Sequence, residues 1–120
     1  MPRARKSAKQ AGSRFEKLTA DYLAKHLDDR IERRVTGGAL DRGDIGGVRD
    51  SHGNRIVLEC KNVTKQALPQ WVREAKQEAI NDGALVGAVV HKRVGKADPA
   101  EQWVTLTLDD FVKLLKGRWW

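Results

Sequence analysis

Two acids and a lysine stand at spacings that let them act together: Asp44, and Glu59 with Lys61 two residues beyond it. Residues 55–61 alternate as a strand with one buried face does, with Ile56, Leu58 and Cys60 on one side and Arg55, Val57, Glu59 and Lys61 on the other. Residues 44–49 read as a preceding strand despite Gly46 and Gly47, and Asp50-Ser51-His52-Gly53-Asn54 between the two is rich in turn formers. A hairpin whose turn centres near residue 52 pairs residues whose numbers sum to about 103–104, which sets Asp44 opposite Glu59 or Cys60. Directly opposed residues have Cβ atoms about 5 Å apart, and residues two apart on a strand share a face. Two carboxylates and an ammonium therefore converge on one patch of sheet. Neighbouring carboxylates repel each other, and a divalent cation relieves the repulsion. All-oxygen donors suit Mg2+, with Mn2+ able to substitute, ions that keep several waters and share their shell with a phosphate. Such an ion turns water into a nucleophile and neutralises charge building on phosphorus, while Lys61 could hold the attacking water or stabilise that charge. A solvated salt-bridge cluster is the plain alternative for the same three side chains.

The rest of the composition favours a phosphate-bearing partner. The chain carries a formal net charge of +7 over 120 residues, which points to a polyanion. Arg3, Arg5, Lys6, Lys9 and Arg14 lie in the first fourteen residues with no acid among them, and Lys113, Lys116 and Arg118 follow the last acid. The first group, with Arg34, supplies the expected DNA-binding cations, although a charged surface that only keeps the protein in solution accounts for them too. Cys60 is the single cysteine, which excludes an internal disulfide and a thiolate zinc cluster. His26, His52 and His91 do not form a zinc pattern. The longest apolar run, Ala84 to Val90, is far too short for a membrane span. No apolar signal segment follows the N-terminal cations, so a cytoplasmic location with no membrane partner is expected.

The length suits one domain. Residues 1–12 read as a flexible basic arm ending at Gly12, and residues 13–120 as the domain. Ser13 is a candidate N-cap with Glu16 as its capping-box partner, opening a helix to about Asp28 on the spacing of Phe15, Leu18, Tyr22, Leu23 and Leu27. A strand from Ile31 to Val35 and a Gly37-Gly38 turn lead into the hairpin. Pro69 opens a second helix to Asn81, stopped by Asp82-Gly83. Ala84 to His91 is a buried strand, Gly95 to Pro99 a loop, and Trp103 to Leu108 a further strand. Asp109 caps a last helix, Asp110 to Lys116. The order α-β-β-β-α-β-β-α predicts an α/β fold with a central mixed sheet flanked by helices. Trp71 and Trp103 suit a core or a dimer interface. Trp119-Trp120 suit a fold-back or dimer contact, or stacking on exposed bases.

Gly43-Asp44-Ile45 followed by Glu59-Cys60-Lys61 behind the apolar run Ile56-Val57-Leu58, with fourteen residues between Asp44 and Glu59, resembles the PD-(D/E)XK nuclease signature. The resemblance is nearest to the small Holliday-junction resolvases of archaea and phages. It implies a restriction-endonuclease-like αβββαβ core over residues 13–91 and a catalytic set of Glu16, Asp44, Glu59 and Lys61. Asp44 and Glu59 would ligate the metal with the main-chain carbonyl of Cys60, Lys61 would assist the nucleophile, and Glu16 would serve a second metal or its waters. It further implies a Mg2+-dependent endodeoxyribonuclease acting on four-way junctions in a bacterial or phage-infected cell, with no small-molecule cofactor. Symmetric junction cleavage needs two active sites, so a homodimer follows. Nicking, flap or restriction-like nucleases share the same core, and a non-catalytic DNA-binding module remains a further alternative.

Overall fold

A computed structural model of the chain describes residues 5–34 and 41–120. Within them the chain runs α1 (Arg5–His26), β1 (Glu32–Arg33), β2 (Ile45–Gly46), β3 (Ile56–Lys61), α2 (Leu68–Asp82), β4 (Val86–His91), β5 (Trp103–Thr105) and α3 (Leu108–Lys116), with a 3-10 turn at Pro99–Glu101. The five strands form one mixed sheet in chain order, β1 to β5. β3 and β4 run parallel, joined by α2, and the other neighbours are antiparallel. The α/β class and the central mixed sheet expected from the sequence are both present.

The alternation in β3 divides the core. Leu58 and Cys60 join Phe15, Ala20, Ile31, Ile45, Val48, Ala88 and Val90 in the cluster beneath α1. On the opposite face α2 packs Trp71 and Ala75 against Val89. β4 is buried along its whole length, as its continuous apolar character requires. Gly87 lets α2 lie close to this strand, because a Cβ there would run into the main-chain carbonyl of Ala75. Gly83 ends α2 in the left-handed conformation at φ 64°, with its amide on the carbonyls of Ala79 and Ile80.

Several expected boundaries move. The described part of α1 runs from Arg5, so Ser13 and Glu16 lie inside the helix and do not form its capping box, and residues 5–12 are helical rather than an arm outside it. Ala8, Ala11 and the lysines favour that extension, and Gly12 opposes it by only about 1 kcal/mol. β2 is shorter than the expected strand. Ile45 pairs with Leu58, and beyond the glycines an isolated bridge joins Arg49 to Arg55. The register shifts by one residue between those pairs, so the Gly46-Gly47 step acts as a bulge. β5 stops at Thr105 because Thr107, not Asp109, caps α3, its hydroxyl accepting from the Asp110 amide at 3.1 Å. Val35, the Gly37-Gly38 turn and Arg3 lie outside the described residues, as does the side chain of Arg5.

Candidate functional site

β2 and β3 bring Asp44 and Glu59 together as their spacing predicts. The Ile45–Leu58 pair sets Asp44 level with Glu59, and the Asp44 amide donates to the Leu58 carbonyl at 3.0 Å. Its carboxylate Oδ2 accepts the Cys60 amide at 2.8 Å. Asp44 therefore meets the amide of Cys60, a fixed donor that orients one carboxylate oxygen. Glu59 projects from the α2 face of β3 and is only 8% exposed. Lys61 lies on the same face, its Nζ 3.8 Å from Glu59 Oε1 and 3.7 Å from Glu74 Oε2.

The segment carrying Asp44 is anchored from behind. Arg34 Nη1 donates to the Arg42 carbonyl at 2.6 Å and reaches Asp82 Oδ1 at 3.3 Å. Asn81 Nδ2 donates to the Asp41 carbonyl at 2.8 Å. Two residues near the end of α2 and one just past β1 thus fix residues 41–44 over the sheet. Gly43 sits in this segment at φ 90°, where a Cβ would lie 2.7 Å from Val57 Cγ1 and 3.2 Å from the Leu58 carbonyl oxygen. The positive φ favours glycine, and the close approach leaves no room for a side chain.

Glu16 acts on the site from α1 through its charge. Arg33 Nε donates to its Oε2 at 2.8 Å, and its charge is felt at both Asp44 and Cys60. Arg33 escaped the sequence reading because nothing in the spacing of β1 and α1 fixes which cation meets Glu16. Glu78 escaped it as well. It lies on the buried side of α2 with Trp71, Ala75 and Ala79 and is 4% exposed. An acid at the helical spacing of an apolar stripe is the signal that could have found it, since acids are rarely buried without a partner. Asp41, Glu59 and Glu78 each offer a carboxylate oxygen, and the three oxygens lie within 4.8 Å of one another.

This crowding alters the acids. Burial, then the Glu59 charge, pushes Asp44 up to about 7 against the pull of the Cys60 amide. Burial, then contact with Glu78, pushes Glu59 up to about 9. Burial raises Glu78 to about 7. Glu59 Oε2 and Glu78 Oε2 meet no donor among the described residues. The two carboxyls face each other, and only a proton or a cation between them makes that contact attractive. The donor set therefore fits a hard divalent cation: oxygen ligands, excess negative charge and unsatisfied lone pairs.

Lys6, Lys9 and Arg14 are exposed along α1. Arg14 lines a groove of about 220 Å³ with Ala11, Phe15, Leu18, Asn62, Lys92 and Ala97. Arg34, expected as a phosphate contact, spends its guanidinium on Arg42 and Asp82. His91 is buried, its Nε2 2.7 Å from the Thr105 hydroxyl and its ring against Trp71, and burial keeps it toward the neutral form. Cys60 is buried as its alternation implies, and burial pushes its thiol up. Trp71 is core, whereas Trp103 is half-exposed beneath Arg93. Trp119 and Trp120 pack edge to face on each other at 5.5 Å and stay exposed. No helix among the described residues is long and apolar enough to cross a membrane. Compared with protein-family models, characterised proteins and solved structures, the chain matches none.

Proposed function

We propose that this chain is a divalent-metal-dependent endodeoxyribonuclease of the PD-(D/E)XK type that cuts branched DNA, with four-way junctions as its substrate, and works as a homodimer. The observation that carries the reading is the meeting of Asp44 and Glu59 across the β2–β3 pair, with Lys61 on the Glu59 face. The αβββαβ order over residues 13–91 supports a restriction-endonuclease-like core. Asp44, with one oxygen fixed by the Cys60 amide, and Glu59, with one oxygen unpaired, are the groups that would hold Mg2+ or Mn2+. When bound, that ion supplies an acidified water and neutralises charge on the phosphate. Lys61 donates toward the attacking water or the phosphate oxygen, held between Glu59 and Glu74 so that its ammonium stays near the reacting atoms. Glu16, held by Arg33, adds negative charge on the α1 side, where a second ion or its waters would sit.

The exposed cations of α1 and the groove containing Arg14 and Lys92 supply a path for the phosphate backbone. That groove lies on the α1 side of the sheet and meets the main chain of Lys61, whose carbonyl accepts the Lys92 amide at 3.0 Å. The homodimer reading draws support from the apolar face of α3, where Leu108, Phe111, Val112 and Leu115 recur at helical spacing and remain exposed.

Labelled four-way junctions, flaps and linear duplexes incubated with the protein in Mg2+ or EDTA test the proposal, alongside Asp44→Asn. Paired nicks near the branch point, dependent on Mg2+ and lost in the variant, are expected. Equal cutting of linear duplex replaces the junction with a restriction-like or nicking activity. Binding to DNA with no cleavage in Mg2+ or Mn2+ overturns the enzyme reading in favour of a binding module.

A further inference from the structure

We propose that Asp41 and Glu78 join Glu59 in a cation position on the α2 side of β3, separate from the one formed by Asp44 and Glu59 and sharing Glu59 with it. The inference rests on reading this pocket as a divalent-metal site, and it adds two ligands that the Asp44, Glu59 and Lys61 pattern does not contain. Three observations carry it.

The first is geometric. One oxygen each from Asp41, Glu59 and Glu78 lies within 4.8 Å of the other two. Mg2+–oxygen bonds of about 2.1 Å place opposite ligands about 4.2 Å apart and adjacent ones about 3 Å apart. Side-chain shifts of about an ångström or less bring the three onto one octahedral ion.

The second is the state of the two glutamates. Glu59 is 8% and Glu78 4% exposed, and the Oε2 of each meets no donor among the described residues. A buried carboxylate oxygen without a donor costs stability, and two facing each other cost more. A salt bridge could offset this, but among the described residues the ammonium paired with Glu59, that of Lys61, is 3.8 Å from its Oε1. A shared proton or a cation between the two carboxyls removes both penalties, and a cation does so while leaving both acids charged as ligands.

The third is preorganisation. Asp41 is the exposed member of the trio, yet it is not left loose. Its Oδ1 accepts the Gly43 amide at 2.9 Å, and its carbonyl accepts from Asn81 at 2.8 Å. Asn81 follows Glu78 on α2, so the helix that presents Glu78 also holds the residue facing it. The α2 ligand and the loop ligand are therefore positioned as one unit. Hard oxygen donors and three nearby acids select Mg2+ or Mn2+ over softer ions.

Mn2+ binding to the intact protein, measured by titration calorimetry at pH 8 without DNA, tests the assignment. Wild type is compared with Glu78→Gln, Asp41→Asn, Asp44→Asn and, as a distant control on α3, Asp109→Asn. Glu78→Gln is close to isosteric and removes a buried charge, so thermal melting in EDTA should show it folded. Glu78→Gln and Asp41→Asn are each expected to weaken one Mn2+ event at least about tenfold, as loss of a ligand or its support does. Asp44→Asn should weaken a different event, and the control neither. Identical Mn2+ isotherms for wild type and a folded Glu78→Gln overturn the inference. Cleavage of branched DNA by wild type, run in parallel, keeps that failure distinct from failure of the nuclease reading. Junction cutting lost in Asp44→Asn but untouched in Glu78→Gln, with unchanged isotherms for the latter, leaves the nuclease and removes the second position.

Discussion

Asp44, Glu59 and Glu78 each sit among groups that disfavour their charged form, and this has a consequence for stability. Their ordinary values are 3.8 for the aspartate and 4.5 for the glutamates, against about 7, 9 and 7 in the fold. Between those limits the native chain holds protons that the unfolded chain has released, so stability falls as pH rises. Beyond the trio's own members, the charges acting on it are Asp41 from the loop before β2, Lys61 from β3 and Glu16 from α1. Only Lys61 among them opposes the trend. In EDTA the melting temperature should therefore drop steadily from pH 5.5 to pH 9, and Mn2+ should raise it far more at pH 8.5 than at pH 5.5. A metal-free melting temperature that is flat or rising over that range contradicts the crowding described here. Gly43 offers a second check at this scale. Alanine there meets both a φ of 90° and the Val57 side chain. Gly43→Ala should cost about 1–3 kcal/mol in urea denaturation and lower cleavage further by displacing Asp44. An alanine variant as stable as wild type contradicts the close packing of that turn.

The elements explain which parts of the site were legible in the sequence. The period of two in β3 and the turn-rich segment before it fix the Asp44–Glu59 meeting by local rules alone, and the observed Ile45–Leu58 register agrees with them. Glu78, Asp41 and Arg33 enter through contacts between elements. The rotation of α2 over the sheet and the path of the loop after β1 decide those contacts, and neither has a local signature. Boundaries failed where a cap or a bulge overrode the pattern: Thr107 captured the start of α3, and Gly46-Gly47 absorbed a residue of β2. From the sequence, Arg34 is expected as a phosphate contact because a cation near the acids invites that role. In the fold it ties the loop before β2 to Asp82, whose side chain is 10% exposed. Arg34→Met should cost about 1–2 kcal/mol through the lost charged hydrogen bonds and slow cleavage while leaving DNA affinity nearly intact. Reduced affinity with an unchanged single-turnover rate would return Arg34 to the role its sequence suggested.

At the scale of the whole molecule, the acids are gathered on the α2 face of the sheet, while the exposed cations of α1 and the Arg14–Lys92 groove lie on its α1 side. Under the proposed function, a net charge of +7 favours a polyanionic partner, and the pocket would supply hard-cation ligands for cutting it. In the proposed homodimer, the exposed apolar face of α3 and the exposed Trp119-Trp120 pair are the surfaces that would meet a second copy, whose site would supply the second cut that a symmetric junction needs. These features serve one central claim, that the Glu59 carboxylate holds the ion that drives phosphodiester cleavage. The most direct measurement is the single-turnover rate of four-way-junction cleavage as Mg2+ is titrated, for wild type and for Glu59→Gln of verified fold. Wild type should cut with a saturable Mg2+ dependence, and the variant should lose at least about a hundredfold in rate. Cleavage by Glu59→Gln at the wild-type rate and the same Mg2+ midpoint would contradict the account.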